Sequence, residues 1–286
     1  MIAVLVAPPF ATVQDLGRTG YRDVGVPVSG LADRDSGIAL NSLLGNDSNA
    51  AMIEWAVAGG VLRFDSAAIV AVGGADATCF VNGRELSPWT AIEVSTGDEL
   101  RIERIIRRRF LLVAVRGGVD VPSIMGSRST LLSAAIGGFN GRRLRAGDRL
   151  PIGDSELAAP GSVTLLTQRA VNDDAVHARR GPQAMLFDDR AWTTFLGTNF
   201  TVSRASDRTG YRLEGVTLTH GGAASLPSEP TCVGAIQVPD GGSPIVIMND
   251  GPTVGGYPKI AVIRSSWLSR FAQRAPGDTV RFVLDD

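Results

Sequence analysis

The sequence has very few of the side chains on which most hydrolytic and metal-dependent sites rely. Its 286 residues include two histidines, two cysteines and one lysine, Lys259. A Ser-His-Asp triad would have to use His177 or His220, and both stand among small polar residues that are typical of surface loops. Cys79 and Cys232 are far apart and form no Cys-x-x-Cys pair. We therefore expect two free, buried thiols and no metal site.

Several familiar signals are also absent. The sequence contains no phosphate-binding Gly-x-x-x-x-Gly-Lys-[Ser/Thr] loop, no Gly-x-Gly-x-x-Gly after a strand, no Gly-x-Ser-x-Gly elbow and no His-Glu-x-x-His. A net charge of −1 gives no global field that would attract nucleic acid or an anionic membrane. The basic run 104–109 is then best interpreted as a solvated strand edge. Residues 1–7 resemble a first strand more than a signal peptide, so we expect a cytoplasmic protein.

The pattern that is present favours a mostly β fold with a few short helices. Apolar runs are short, β-branched and bounded by Gly, Asp or Pro, as strands are. These runs are 67–72, 110–115, 163–166, 245–248, 260–263 and 280–284. Helices are predicted at 33–44, 187–196 and 265–274, where apolar residues recur at helical spacing between capping and stopping residues. Asp33 and Gly45 would cap the first helix, Ser265 or Ser266 would begin the third, and Pro276 would stop it.

Internal repetition predicts two related β modules. The pentapeptide Arg-Thr-Gly-Tyr-Arg occurs at 18–22 and again at 208–212. A Gly-Asp pair followed by alternating apolar residues occurs at 97–98, 147–148 and 277–278, and this pattern is typical of a turn that leads into a strand. We place an N-terminal module at 1–153, a linker at 154–161 and a C-terminal module at 162–286, because the stretch around Pro160 is small and polar.

Four glycine-rich polar clusters are the candidate binding segments: 26–33, 73–76, 125–139 and 249–259. Glycine lets backbone N–H groups approach an anion, and neighbouring Ser, Arg, Tyr and Lys side chains supply the donors that a carboxylate, carbamate or phosphate needs. Each of the first three, taken alone, is better explained as a β-turn. The fourth favours function, because Gly-Gly-Tyr-Pro-Lys places several hydrogen-bonding groups in one turn.

These segments carry a resemblance to a known family. The residues Thr-Val-Gln-Asp-Leu-Gly-Arg at 12–18, Gly-Ser-Arg-Ser-Thr at 126–130, Gly-Pro-Gln at 181–183, Gly-Ala-Ile-Gln-Val-Pro at 234–239 and Gly-Gly-Tyr-Pro-Lys at 255–259 occur in this order. They resemble the allophanate hydrolase subunit 2 family, also called biotin-dependent carboxyltransferase-like. The resemblance implies a cyclophilin-like β-barrel architecture and a partner of the allophanate hydrolase subunit 1, or KipI-like, type.

The resemblance leaves three functions open. The first is a subunit of a heteromeric ATP-dependent amidohydrolase that opens a small cyclic amide such as 5-oxoproline. Such a subunit would be inactive alone. ATP would be bound together with partner subunits, and a LamB/YcsF-like protein would be a further partner. The second is the carboxyltransferase module of a urea carboxylase, with biotin carried by another chain. The third is a KipA-like regulatory protein that antagonises a kinase inhibitor. A Ser-Ser-Lys amidase signature and a biotin-carrying Ala-Met-Lys-Met are both absent.

The candidate site residues come from the same clusters. We expect Tyr257 and Lys259 to act as catalytic donors to a carboxylate or phosphoryl oxygen. The predicted substrate-binding residues are Arg18, Tyr21, Ser29, Asp33, Asp76, Ser127, Arg128, Arg208, Tyr211, Gln237, Thr253, Gly255 and Gly256. For the arginines and tyrosines of the pentapeptides, a structural turn is an equal alternative, and Asp33 could instead only cap its helix. Pro252, Thr253 and Val254 stand where the family often has Gln-Thr-Thr, which removes two polar groups and predicts a different substrate or a weaker site.

Overall fold

The computed structural model describes residues 1–56, 58–154, 175–221 and 226–285, and these divide into two compact units. The first unit comprises residues 1–19 and 29–154, and the second comprises 20–28 together with the described residues from 175 onward. Residues 20–28, which the sequence-based division assigned to the N-terminal module, thus group with the second unit. Apart from Asp154, the predicted linker lies outside the described residues, as does the strand predicted at 163–166.

The first unit is built on one antiparallel sheet of nine described strands. The strands are β1 (Ile2–Val6), β2 (Phe10–Gln14), β3 (Met52–Ala56), β4 (Ala58–Phe64), β5 (Ala68–Val81), β6 (Arg84–Glu85), β7 (Ile92–Val94), β8 (Glu99–Val115) and β9 (Arg149–Leu150). Their order is β2-β3-β8-β4-β1-β9, and β5 pairs with β6, β7 and β8. Trp55, Phe64 and Leu111 are fully buried in the core of this sheet.

One helix packs on this sheet, and its ends follow from local chemistry. Helix α1 (Arg34–Leu44) begins after Asp33, whose carboxylate accepts a hydrogen bond from the Ser36 N–H. It ends at Gly45, which adopts φ +70° and donates its N–H to the last turn, a conformation that glycine takes without a Cβ penalty. Leu40 and Leu44 bury their side chains in the same apolar cluster as residues of β5 and β8. The predicted helix at 33–44 is confirmed.

The second unit contains a closed barrel of seven described strands. Its strands are β10 (Ala175–Arg180), β11 (Phe200–Val202), β12 (Gly210–Glu214), β14 (Ala235–Gln237), β15 (Ile245–Ile247), β17 (Lys259–Ile263) and β18 (Thr279–Leu284), and a separate two-stranded sheet consists of β13 (Glu229–Pro230) and β16 (Val254–Gly255). The barrel order is β10-β17-β14-β15-β12-β11-β18, and the parallel β10–β18 pair closes it. The Phe195 and Phe282 rings stack with centroids 5.0 Å apart in its core.

The helices of this unit confirm two further predictions with shifted ends. A 3-10 helix (Ala184–Leu186) precedes α2 (Asp189–Gly197), and α3 (Ser265–Ala272) lies between β17 and β18. Asp188 caps α2 by accepting a hydrogen bond from the Ala191 N–H. Helix α3 begins after Arg264 without a side-chain cap, and it ends four residues before Pro276. The serine caps predicted for it are therefore wrong.

The three Gly-Asp pairs form the turns that the sequence predicts. Gly97, Gly147 and Gly277 have φ between +91° and +96°, and β8, β9 and β18 each begin directly after the following aspartate. Each aspartate carboxylate accepts a hydrogen bond from the backbone N–H three residues earlier, as Asp98 does from Ser95 at 2.7 Å. The mostly β prediction is confirmed as a whole.

Two local predictions need correction, and the interpretation of the basic run 104–109 as a solvated strand segment is confirmed. His177 lies in strand β10 rather than in a loop; its Nδ1 is 2.5 Å from the Asp285 carboxylate and its ring stacks on Trp267. Both cysteines are free thiols, but only Cys79 is buried, and burial raises the pKa of its thiol to about 12. The basic run 104–109 lies inside the long strand β8. No helix in the described part of the chain is long and apolar enough to span a membrane.

Candidate functional site

A polar pocket in the second unit gathers several of the predicted site residues around Lys259. Lys259 is the first residue of β17, and it is the register partner of Gln237 at the end of β14. Opposed residues of an antiparallel pair project to the same face of the sheet. Both are buried, and the Lys259 side chain is only 3% exposed. An ammonium is rarely buried without partners, so its contacts define the site.

The Lys259 ammonium is bound by a glutamate, and a glutamine holds that glutamate in place; the sequence did not single out either of them as a site residue. Lys259 Nζ lies 2.5 Å from Oε1 of Glu229 on β13. Gln183 Nε2 donates to the same Glu229 oxygen at 2.7 Å, and Gln183 Oε1 accepts from the Lys259 backbone N–H at 3.2 Å. The hydrogen bond from Lys259, with that from Gln183, lowers the pKa of the Glu229 carboxyl, which therefore carries a negative charge at neutral pH.

Gly255 lets a buried amide pack against this network. It is the register partner of Glu229 in the β13–β16 sheet. A Cβ at Gly255 would lie 2.8 Å from Gln237 Nε2 and 3.2 Å from Thr231 Cγ2, closer than side chains normally approach. Gln237 Nε2 is itself buried and has no hydrogen-bond partner among the described residues. The absence of a side chain at Gly255 therefore makes room for a buried amide donor next to the strand that carries Glu229.

Arg22 adds a second cation to this side of the barrel unit. Its Nη2 donates to the Thr231 backbone carbonyl at 2.8 Å, while its Nη1 is buried without a partner among the described residues. Cys232 follows Thr231 and is exposed; partial burial raises the pKa of its thiol, and the charges of Arg22 and Lys259 oppose that rise. The charges of Arg22 and Lys259 thus both act on the Cys232 thiol.

The loop that carries the predicted Gly-Gly-Tyr-Pro-Lys motif borders the pocket. Tyr257 is 42% exposed, whereas Lys259 two residues later is buried. The Gly256 carbonyl accepts a hydrogen bond from the Leu226 N–H at 2.8 Å, and the buried Thr253 accepts one from the Thr231 N–H through its carbonyl at 2.9 Å. The backbone of this loop is therefore fixed by hydrogen bonds, which leaves the Tyr257 phenol at the surface.

Two predicted anion clamps of the second unit have structural partners instead. Arg208 forms two 2.9 Å hydrogen bonds with the Asp250 carboxylate, and both side chains are largely buried. The Tyr211 side chain is fully buried, and its hydroxyl donates to the Ala272 carbonyl at 2.6 Å, at the end of α3. Tyr21, from the other pentapeptide, is half-buried in a short turn in which its carbonyl accepts from the Val26 N–H.

In the first unit, Asp15 organises the segment 127–130. Its carboxylate accepts hydrogen bonds from the Ser127 hydroxyl at 2.6 Å, the Arg128 N–H at 2.6 Å and the Ser129 hydroxyl at 2.5 Å. The buried Arg18 donates to the Ser129 carbonyl at 2.5 Å. These contacts hold the two predicted motifs 12–18 and 126–130 together, so the Ser127 hydroxyl already has a hydrogen-bond partner within the protein.

The remaining predicted residues of the first unit also have local partners. The Ser29 hydroxyl donates to the Thr130 carbonyl at 2.8 Å, Asp33 caps α1, and Asp76 forms a 2.9 Å ion pair with Arg107. Among the described residues no group of three or more His, Cys, Asp or Glu side chains could hold a metal ion. Near Lys259, in contrast, Gln237 Nε2 and Arg22 Nη1 are buried donors without a hydrogen-bond partner among the described residues.

Sequence reasoning missed the residues that hold the lysine. Gln183 belongs to a quoted motif, Gly-Pro-Gln, and Arg22 ends the first pentapeptide, so both had a signal that could have selected them. Glu229 had none, since it stands alone in a polar stretch. Chemically, a buried ammonium beside amide and guanidinium donors can bind a carboxylate or polarise a carbonyl oxygen.

Comparison with known proteins gives matches over nearly the whole chain. A family model described as "Carboxyltransferase domain, subdomain A and B" matches residues 24–284. The chain is 36% identical to a 5-oxoprolinase subunit of Escherichia coli, over 99% of this chain and 91% of that protein. It is 33% identical to the urea amidolyase of Lachancea kluyveri, over 96% of this chain and 16% of that protein. The crystal structure of the K. lactis urea amidolyase superposes with a TM-score of 0.91 at 30% identity, covering 100% of this chain and 19% of that one.

Proposed function

Because the chain belongs to the family of the carboxyltransferase domain, subdomains A and B, we propose that it is the corresponding subunit of a heteromeric ATP-dependent amidohydrolase of the 5-oxoprolinase type. Two 5-oxoprolinase subunits, from Escherichia coli and Haemophilus influenzae, match it over nine-tenths of their own length. The urea amidolyases are several times longer, and this chain corresponds to about one sixth of each. Full-length correspondence favours the 5-oxoprolinase type.

The observation that carries the proposal is the buried Lys259 ammonium beside an unpartnered Gln237 amide. In this proposal Lys259 donates to an oxygen of the cyclic amide or of its carboxylate, and Tyr257 donates from the rim of the pocket. A fixed ammonium in a site that excludes water stabilises developing negative charge more strongly than solvent does. Glu229, which is itself bonded by Gln183, orients the ammonium.

The rest of the reaction is assigned to partner chains. A lactam resists water until its carbonyl oxygen is activated, and transfer of a phosphoryl group from ATP supplies that activation. The C–N bond then breaks, one water provides the new carboxylate oxygen, a second water releases the phosphoryl group as phosphate, and ATP ends as ADP. We place ATP with the partner subunits, a protein of the allophanate hydrolase subunit 1 or KipI-like type and a LamB/YcsF-like protein, and we expect this chain to be inactive alone.

The test is reconstitution. The three chains are purified together and separately, and glutamate release from 5-oxoproline is measured with and without ATP. We expect turnover only from the complete set with ATP, and Lys259→Met in this chain to lower kcat/KM by about a hundredfold or more while the complex still assembles. Lys259→Arg is the matched control that keeps the charge, and Tyr257→Phe tests the rim donor. Activity of Lys259→Met within a few-fold of the wild type would exclude the assigned role.

A second candidate is a carboxyltransferase module. It is favoured by the family model and by the close superposition on the urea amidolyase and urea carboxylase structures of K. lactis. No biotin is attached to this chain in this proposal, because its one lysine is the buried Lys259. Transfer of a labelled carboxyl group from a separately supplied carboxybiotin carrier to urea would establish it. A tight complex without turnover in either assay would instead support the KipA-like regulatory function.

A further inference from the structure

The Lys259 pocket already contains a carboxylate that belongs to the protein. Glu229 Oε1 receives both the Lys259 ammonium and the Gln183 amide. The two partners differ sharply in environment: the Lys259 side chain is 3% exposed, whereas the Glu229 side chain is 39% exposed. Glu229 therefore reaches the buried ammonium from the solvent side, along the direction from which a ligand would approach.

The position of Glu229 allows its side chain to move away from Lys259. It lies on β13, a two-residue strand that pairs only with β16 in a sheet separate from the barrel, in the described part of the chain. Lys259 and Gln237, in contrast, are fixed in barrel strands. Ion pairs with one solvated partner contribute little net free energy, because water competes for the exposed carboxylate. Moving the Glu229 side chain into solvent therefore requires little free energy if another anion takes its place beside Lys259.

The pocket also contains donors that Glu229 leaves unused. Gln237 Nε2 and Arg22 Nη1 are both buried and have no hydrogen-bond partner among the described residues. A buried donor without a partner is unfavourable, and an incoming acceptor removes that penalty. The Gln237 amide lies close to the strand partner of Glu229, since a single Cβ at Gly255 would come within 2.8 Å of it and Gly255 is the register partner of Glu229. A ligand carboxylate could thus satisfy Lys259 and a donor that Glu229 does not.

We propose that Glu229 is a resident substitute for a ligand carboxylate, and that a small carboxylate-bearing ligand displaces it from Lys259 and gains the Gln237 amide and the Arg22 guanidinium. Glu229 is then a positioning residue: it binds the buried lysine in the empty site and competes with the ligand. The choice of 5-oxoproline as the ligand rests on the proposed function. The displacement itself concerns only the residues of this chain.

If Glu229 competes with the ligand for Lys259, then removing the charge of Glu229 should improve the binding of a carboxylate ligand. Glu229→Gln keeps the shape of the side chain and one hydrogen-bond acceptor but removes the competing charge. We expect it to tighten the binding of carboxylate ligands by about three- to tenfold, which corresponds to the loss of a weak ion pair. A purely structural role would give weaker binding or none. Lys259→Met should abolish carboxylate binding in both backgrounds.

The experiment is calorimetric titration of the full-length chain, and of its complex with its partners, with three probes. 5-Oxoproline carries both the lactam and the carboxylate, 2-pyrrolidinone carries only the lactam, and acetate carries only the carboxylate. Glu214→Gln is the matched control, since Glu214 is an exposed residue of strand β12 and its substitution changes the net charge equally. We expect Glu229→Gln to tighten 5-oxoproline and acetate, to leave 2-pyrrolidinone unchanged, and to differ from Glu214→Gln.

The outcomes separate the displacement from the proposed function. Unchanged or weaker carboxylate binding in Glu229→Gln, equal tightening in Glu214→Gln, or no carboxylate binding to any form would each overturn the displacement. If acetate binds more tightly to Glu229→Gln while 5-oxoproline does not bind, the displacement holds and the proposed function fails. If the complete complex turns over 5-oxoproline but Glu229→Gln gives no tightening, the proposed function holds and the displacement fails.

Discussion

The ion pair between Arg208 and Asp250 offers a quantitative test of how the second unit is held together. Arg208 Nε and Nη2 each lie 2.9 Å from an Asp250 oxygen, and the two side chains are 14% and 8% exposed. The Asp250 N–H also donates to the Arg208 carbonyl at 2.9 Å. The pair therefore joins the start of β12 to the turn that follows β15, two places that are distant in sequence.

We expect Asp250→Ala to lower the free energy of unfolding by about 3 kcal/mol. Removing one member of a buried pair leaves the other charge without its partner, which costs about 3–5 kcal/mol, and the slight exposure of both side chains favours the lower end. For a unit of this size, a loss of that magnitude corresponds to a melting temperature about 10 °C lower. The double change Arg208→Met with Asp250→Leu should recover most of the loss, because neither charge then remains.

The measurement is urea-induced unfolding followed by tryptophan fluorescence, since Trp192 and Trp267 report on this unit. Asp240→Ala is the control, because Asp240 is an exposed aspartate of the same unit, and it should change the free energy of unfolding by less than about 0.5 kcal/mol. A loss below about 1 kcal/mol for Asp250→Ala would refute the structural assignment. Arg208 would then be available as the anion clamp that the sequence suggested.

Two further predictions concern the site and the first unit. Gly255→Ala should reduce ligand binding at least about tenfold, because the new methyl group displaces the tip of the Gln237 side chain, while the free energy of unfolding changes by less than about 1 kcal/mol. The control is Gly241→Ala, whose new methyl group meets nothing within 4 Å. Equal effects of the two substitutions would contradict the site. The hydrogen bond from Arg142 lowers the pKa of Asp148. The contribution of this carboxylate to the free energy of unfolding is therefore complete above about pH 4 and is lost as the pH falls further. Asp148→Asn should flatten the acid unfolding curve below about pH 4, and an unchanged curve would contradict this assignment.

Much of the fold was predictable because its signals are local. The Gly-Asp turns require a residue at positive φ followed by a carboxylate that accepts a nearby N–H, and four residues are enough to specify this. Helix α1 has its cap, its apolar spacing and its terminal glycine within thirteen residues. Helix α3 begins at the predicted residue but ends two residues earlier than predicted, and its first turn has no side-chain cap although the sequence offers two serines there.

The identical pentapeptides show where local reading fails. In the second copy, Tyr211 lies in strand β12 and is fully buried, whereas in the first copy Tyr21 lies in a short turn and is half-buried. The same five residues take different conformations because their surroundings differ: Arg208 meets Asp250, while the equivalent Arg18 donates to the Ser129 carbonyl. Contacts between residues this far apart in sequence decide the outcome, and a single sequence does not reveal them.

The candidate site was predicted only in part for the same reason. Lys259, Gln237, Gly255 and Thr253 were selected from their motifs, and the structure gathers them in one pocket. Glu229, which controls the lysine, lies thirty residues away in sequence and in no motif. A buried ammonium requires a counter-ion, so the existence of such a partner was predictable on physical grounds, but its position was not.

The assignment of residues 20–28 to the second unit determines how the protein can be dissected. The polypeptide leaves the first unit after residue 19, returns to it at residue 29, and leaves it again before residue 175, so neither unit corresponds to one continuous stretch of the gene. A recombinant fragment that starts at residue 175 would lack Arg22 and its bond to the Thr231 carbonyl. Expression of the barrel unit by itself should therefore require the nine-residue segment to be supplied as a fused or added peptide.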